Sequence, residues 1–459
     1  MSVATATARG TPPPGGGRAG PPRRRNVALL LYLIISLLIS MTISQEETPE
    51  LGSLSYWLLV GAAGLLPFAN AASVLRALLG HARPLLLFGL LGGAWHLAAG
   101  DMRAVLQLGL MVWVLAWLCC ERVHVSTEDL VRLYVVLLAI GVAMWLTTDL
   151  NRWGILPATT AEEYGIWRVS FFPNIANTAI LSLAMVLLLT RNAALARAHP
   201  VVLCIALYFV IFSFVRTALI ALALYAAMRW WLGRRRRSAA GMCAAALLLA
   251  VGVNAALATS AYAIEYLQQF PLISRLFLRG ESGLSVDEIF QQLYRPWLWW
   301  QHWNLFSTSP SLMGWGAFDF VDMQLEELNV GTTPAGNEAL LTRLLATYGL
   351  PSLFFLYFLG ARLHRAAKSR DLWACACFPP IILLMMQWGN IYHPTDANGS
   401  LFLLMLLHGS AAFAPARRRA RRRAAAAPPR RAATDAGGSA NMDGNSMAAG
   451  AATAAAPTQ

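Results

Sequence analysis

Arg216 sits in the middle of the apolar stretch between Pro200 and Leu232, whose one other charge is Arg229 near its far end, in the run Phe212-Ser213-Phe214-Val215-Arg216-Thr217-Ala218-Leu219-Ile220. A cation at bilayer depth costs about 2.5–3.5 kcal/mol on insertion scales unless it reaches an interface, a water-filled cavity or an anion. Arg216 is therefore a candidate for holding a negatively charged group. Arg168 and Arg295 lie beside other apolar segments, and a guanidinium fork suits bidentate, charge-assisted bonds to phosphate. Two or three such forks suit a diphosphate whose release needs its growing charge stabilised.

Other polar residues collect near these arginines. Asn174 and Asn177 are three apart after Pro173, so a helix starting there puts both on one face. A helix cap beside an interfacial Trp167/Arg168 belt explains the same spacing. The run Tyr294-Arg295-Pro296-Trp297-Leu298-Trp299-Trp300-Gln301-His302-Trp303 suits an amphipathic helix at an interface. Its tryptophans, Trp299 among them, also suit a sugar groove, where pyranose C–H faces pack on aromatic rings; His302 adds a polar group. Gly314-Trp315-Gly316 reads as a turn. Asn337 and Glu338 open a further apolar segment, and a helix N-terminus favours anions.

A scaffold must hold these groups, and composition says which kind. Hydrophobic residues make up 57% of the 459 and charged ones 13%. The apolar residues come in blocks long enough to span a bilayer, about 17–25 residues each. The expected fold is all-α, a polytopic integral membrane protein with about 12 transmembrane helices, because only helices satisfy the backbone of such segments internally. The expected spans are about 27–44, 53–73, 84–99, 104–120, 130–148, 171–190, 200–215, 217–233, 239–262, 339–360, 372–390 and 399–414. Residues 1–26 form a disordered cytoplasmic tail and 27–264 hold helices one to nine. Residues 265–338 form one large periplasmic loop, 339–416 hold the last three helices, and 417–459 form a basic disordered tail. Val27 to Ser44 lacks a small-x-small cleavage site and reads as an uncleaved first span.

The net charge of +13 does not indicate nucleic acid, because of where it lies. Cations flank apolar segments at Arg23 to Arg25, Arg234 to Arg237, Arg362/Arg365/Lys368/Arg370 and Arg417 to Arg423. Acids gather on the other side, at Glu46/Glu47/Glu50, Glu162/Glu163, Glu281/Asp287/Glu288 and Asp319/Asp322/Glu326/Glu327. This is the positive-inside pattern of a bacterial inner-membrane protein with both termini cytoplasmic; membrane lipids are its minor partners. The six cysteines all fall in apolar segments and read as small hydrophobes, not as disulfides or a metal site. No nucleotide-binding glycine loop, HExxH or Cys/His cluster occurs, so no cofactor and no metal is expected.

Taken in order, several segments resemble the O-antigen ligase and polymerase family of bacterial envelope proteins. They are Arg168 with Phe172-Pro173-Asn174, the Phe212 to Leu219 run, Arg295-Pro296-Trp297-Leu298-Trp299-Trp300 with Met313-Gly314-Trp315-Gly316, and Asn337-Glu338-Ala339-Leu340-Leu341 with Tyr348-Gly349-Leu350. The resemblance runs from about residue 165 to 362 of the chain. It implies a metal-independent membrane glycosyltransferase whose donor is an undecaprenyl-diphosphate-linked oligosaccharide. The acceptor is a hydroxyl of a second lipid-linked repeat for a polymerase, or of a lipid A core for a ligase. By position, Arg216 and Arg295 grip the diphosphate and Arg168 lines the same cavity. A flippase and a chain-length regulator of the same pathway are the implied protein partners.

One position departs from the family. Ligases carry a histidine before the Asn that leads into span ten, and here Gly336 stands there. Glu338 or His302 is then the candidate base, and the departure favours polymerase over ligase. An exporter or flippase of the same polysaccharide shares the span count but would spread polar residues through the depth of the helices. A transferase with a polyprenyl-monophosphate donor would place its acid in the first outer loop, near Glu46 and Glu47.

Overall fold

Long apolar runs punctuated by Pro and Gly form helices joined by tight turns, and no strand occurs among the described residues. The computed structural model describes residues 27–42, 61–120, 125–147, 169–170, 175–234, 261–316, 339–387 and 397–413, with short breaks at 63, 272, 275–277, 279–280 and 293–294 and isolated positions in 241–252. The expected span 239–262 and both tails lie largely outside them.

α1 (Val27–Thr42) is followed, after a 3-10 turn at Leu66–Asn70, by α2 (Ala71–Leu79). α3 (Arg83–Ala98) and α4 (Met102–Leu118) form a hairpin closed by Asp101, whose Oδ1 accepts the Ala104 N–H at 2.9 Å. This is a helix N-cap of the ordinary Asp kind. Then come α5 (Thr127–Thr147), α6 (Ile175–Leu189), α7 (Ala193–Ala198), α8 (Pro200–Phe212) and α9 (Arg216–Arg234). The large loop contains α10 (Ala261–Leu267), α11 (Val286–Gln292) and α12 (Arg295–Thr308). The expected span 339–360 is two helices, α13 (Leu340–Tyr348) and α14 (Ser352–Lys368), because Gly349 at φ +60° and Pro351 break it. α15 (Leu372–Gln387) and α16 (Ala397–His408) end the bundle.

The helices run alternately between two ends, and polar ties fasten each end. At one, which we call the basic end, His81 Nε2 lies 3.1 Å from the Cys119 carbonyl and the Thr127 hydroxyl donates to Phe413 O at 3.0 Å. There Arg191 donates to Ser410 O at 3.1 Å, and the Ser410 N–H donates to Asp371 Oδ2 at 2.7 Å. Trp373 Nε1 donates to Leu187 O at 2.8 Å and Arg229 to Thr190 O at 3.3 Å. The opposite, aromatic end gathers Asp101, Val169, Phe212 to Arg216, α12 and α13. Between the ends the packing is largely apolar, and a buried 2.9 Å bond there joins Tyr134 and Ser182.

The outward faces are as apolar as the inward ones. α3 buries Leu85, Phe88, Gly92 and His96, while Leu87, Leu90, Leu91 and Leu97 face out. On α5 the exposed stripe includes Val135, Val136 and Val142; on α8 it includes Val201, Tyr208, Ile211 and Phe212. Cys204 belongs to the α8 stripe, whereas Cys119, Cys120, Cys375 and Cys377 are buried free thiols. Among the described residues no single helix is long and apolar enough to cross a membrane by itself. Leu66–Leu79 and Arg83–Ala98, meeting at 95°, pass that test only together.

Candidate functional site

The turn between α8 and α9 is built so that Arg216 begins a helix. Ser213 Oγ receives the Val215 N–H at 3.5 Å, and Phe214 sits at φ +51°, a left-handed conformation uncommon for a bulky residue. Arg216, half-buried, is the first residue of the 19-residue α9. Its charge thus adds to the positive end of the helix dipole, where a cation is disfavoured by about 0.3–1 kcal/mol. Guanidinium and dipole together favour an anion at this point. The segment before α6 reaches the same turn, since the Val169 N–H donates to Phe212 O at 2.9 Å. Ser170 and Thr178 join their hydroxyls at 2.7 Å beside it.

A second group of residues forms around α12 and α13. His302 Nδ1 is 3.0 Å from the Thr342 hydroxyl, which links the two helices. Trp315 Nε1 donates to Leu305 O at 2.8 Å, folding the loop after α12 back onto it. That loop then runs along the end of α13: the N–H groups of Trp315 and Gly316 donate to Ala346 O and Thr347 O, each at 3.0 Å. Leu350 N–H returns a bond to Leu312 O at 2.9 Å. Such close backbone approach explains the glycines. A Cβ on Gly314 would meet the Thr347 carbonyl, and one on Gly349 the Leu312 carbonyl. Gly316 packs on Asp101 and His96, which ties the loop to the α3–α4 hairpin.

α15 connects the two groups. It packs along α9, with Tyr225 beside Trp373 and Cys377. The two helices run in opposite directions, since Trp373 at the start of α15 and Arg229 near the end of α9 both bond carbonyls at the C-terminal end of α6. From Tyr225 back to Arg216 is about 14 Å of helix, and from Cys377 on to Gln387 about 15 Å. The Arg216 end of α9 and the C-terminal end of α15 are therefore level. At that end Trp299 Nε1 donates to Met386 O at 2.6 Å. The Arg216 turn and the tryptophan helix thus share the aromatic end of the bundle.

Of the residues expected at the site, Arg216, Trp299, His302 and Asn177 are described, and Arg295 opens α12. Asn177 is half-buried in the first turn of α6. Arg168, Asn174, Asn337 and Glu338 lie outside the described residues. His302 has no exposed surface; burial and the nearby Arg343 cation push its pKa down to about 3. It is a neutral imidazole holding α12 on α13. Among the described residues, four of the five non-glycine residues at positive φ, Phe214, Ser311, Leu312 and Ala339, flank this end, and such strain gathers at functional sites.

Sequence reasoning passed over His96, Asp101 and Thr342. Asp101 had a legible signal, an Asp after Gly100 at the start of an apolar run. A lone His96 in an apolar helix had none; it is 2% exposed, with Nε2 lacking a hydrogen-bond partner among the described residues. Tyr348 donates to Ala104 O at 3.2 Å and stacks edgewise on His96. Among the described residues no three His, Cys, Asp or Glu side chains gather as a metal site. No protein-family model and no curated protein matches this chain.

Proposed function

We propose that this protein is a multi-pass inner-membrane glycosyltransferase that joins undecaprenyl-diphosphate-linked oligosaccharide repeats at the periplasmic face. One observation carries the reading. The segments that resemble the ligase and polymerase family, the Phe212 to Leu219 turn, the Arg295 helix, the Gly314 loop and the α13 end, come together at one end of the bundle. That end carries a cation on a helix N-terminus and a half-buried tryptophan, which suit a diphosphate and a sugar.

The membrane part of the reading is supported by the leucine and valine faces turned outward on α3, α5 and α8. Water would penalise such continuous apolar faces, and lipid does not. Helices of 15–17 residues are about 23–26 Å long, near the thickness of a hydrocarbon core. The basic residues Arg362, Arg365 and Lys368 fall at the opposite end from the tryptophans of α12, which fits the positive-inside rule.

In the proposed reaction the donor diphosphate rests against Arg216 and Arg295. A hydroxyl of the acceptor repeat attacks the anomeric carbon as Glu338 takes its proton. The bond from that carbon to the diphosphate oxygen breaks, and undecaprenyl diphosphate leaves with its charge stabilised by the two arginines. Trp299, anchored through its N–H, flanks the sugar, with Arg168, Asn174, Asn177 and Asn337 as further contacts. His302 positions the helix that carries Arg295 and Trp299.

The test is polymer formation by the full chain in membrane vesicles supplied with lipid-diphosphate-linked repeats. Arg295→Ala is expected to leave repeats unjoined on the periplasmic face. Normal polymer from that variant together with Arg216→Lys would overturn the mechanism, and repeats stranded on the cytoplasmic face in a null strain would indicate an exporter instead.

A further inference from the structure

Arg362, on α14 at the basic end, is 5% exposed, and its Nη2 has no hydrogen-bond partner among the described residues. Its guanidinium lies over the Phe358 ring, 4.8 Å from the centroid. Its electrostatic neighbours are the Cys119 thiol and a second cation, Arg365, one turn along the helix. A buried guanidinium beside a like charge is destabilising unless something negative completes it.

Among the described residues no acceptor is bonded to that donor. The end of α4, beside Cys119, is a natural acceptor for a cation because it exposes the last carbonyls of a helix. Each of those carbonyls already holds a donor: Leu115 and Ala116 take the Cys119 N–H, and Trp117 takes the Cys120 N–H. Leu118 O lies 2.5 Å from His408 Nε2, and Cys119 O takes His81. Asp371, at the same end, spends one oxygen on the Ala374 N–H at 3.0 Å and the other on the Ser410 N–H at 2.7 Å.

We propose that Arg362 and Arg365 form a binding site for a phosphate group at the basic end of the bundle, apart from the diphosphate site at the aromatic end. The planar forks of two arginines a turn apart suit the oxygens of one phosphate. The phosphate arrives either on an anionic phospholipid head group or free in solution. A lipid source rests on the membrane reading above; the site itself does not.

The experiment compares thermal unfolding of the full chain in lipid-depleted neutral detergent with added phosphatidylglycerol, phosphatidylcholine or inorganic phosphate. Phosphatidylglycerol is expected to raise the melting temperature by about 2 °C or more, and phosphatidylcholine to leave it unchanged. Arg362→Met is expected to be at least as stable as the wild type without additive, since it removes a buried charge, and to gain nothing from phosphatidylglycerol. Arg365→Gln, a surface change, is expected to fold normally and to show a reduced shift, while Arg234→Gln keeps the full one. A shift with inorganic phosphate alone, lost in Arg362→Met, supports the site with a free anion as its occupant. No shift with either phosphate source, or the same shift in Arg362→Met, overturns the site. A Glu121→Gln variant that destabilises the wild type but not Arg362→Met also overturns it, because the partner would then be internal. Extraction of the protein from membranes by alkaline carbonate would refute the membrane reading and leave the phosphate arm standing.

Discussion

At the scale of single residues, Arg216 and His302 play opposite electrostatic parts. Arg216 concentrates positive charge at the start of α9, and on the proposed reading its worth lies in the donor diphosphate it would stabilise. Arg216→Lys keeps the charge and loses the fork. The expected result is a fall of about 10–100-fold in polymerisation rate, with unchanged helical circular dichroism. His302 carries no charge in the folded protein, its pKa held near 3 by burial and Arg343. An unfolded chain has the ordinary value of about 6.5. Between those values the unfolded state binds a proton that the folded state does not, so stability is full above pH 6.5 and falls as pH drops toward 3. Stability measured across that window should decline less steeply in His302→Gln than in the wild type. Equal slopes would remove His302 as the cause.

At the scale of elements, the junction between the loop after α12 and the end of α13 holds the aromatic end together. Its hydrogen bonds need two backbones closer than any side chain allows, so Gly314 and Gly349 face one another there. Gly349→Ala combines a left-handed backbone with a collision against Leu312 and Met313. It should release the loop, seen as faster proteolysis near residues 309–316 and lost activity while bulk helix content persists. Gly100→Ala is the control, because Gly100 has φ +80° but nothing within 4 Å of a new Cβ. Its cost should stay near the 1–2 kcal/mol of a left-handed residue, with the loop in place. Trp299→Phe removes the tie to Met386 O and should cost about 1–3 kcal/mol by leaving that carbonyl unpaired.

At the scale of the whole molecule, the proposed membrane orientation follows from two ends of different chemistry joined by apolar helices. Cysteines placed on the exposed residues Ser307 and Ser369 probe them. A membrane-impermeant maleimide applied to intact spheroplasts should label Ser307→Cys, whereas Ser369→Cys should react only after the membrane is opened. Labelling of both from outside would contradict the orientation. The break at Gly349 also changes how the bundle is described: α13 belongs with the loop above it, and α14 is the element that crosses toward the basic end.

The sequence by itself determined that the chain is helical and the rough limits of most of the described helices. Those properties come from local hydropathy, Pro and Gly, and the distribution of charge. It also marked Arg216 and the loop tryptophans, since a cation in an apolar run and a Trp cluster stand out without any partner being known. The tertiary structure alone decided what those residues meet. Trp299 bonding to Met386, His302 bonding to Thr342, and Gly316 resting on Asp101 and His96 each join segments far apart in the chain. Nothing in local pattern encodes such pairs. The burial of His302 was likewise out of reach, because solvent exclusion and the nearby Arg343 are consequences of packing. Arg362 shows the same limit: as one of a basic run it reads as a topology signal, and only packing leaves its guanidinium buried with a donor unmet.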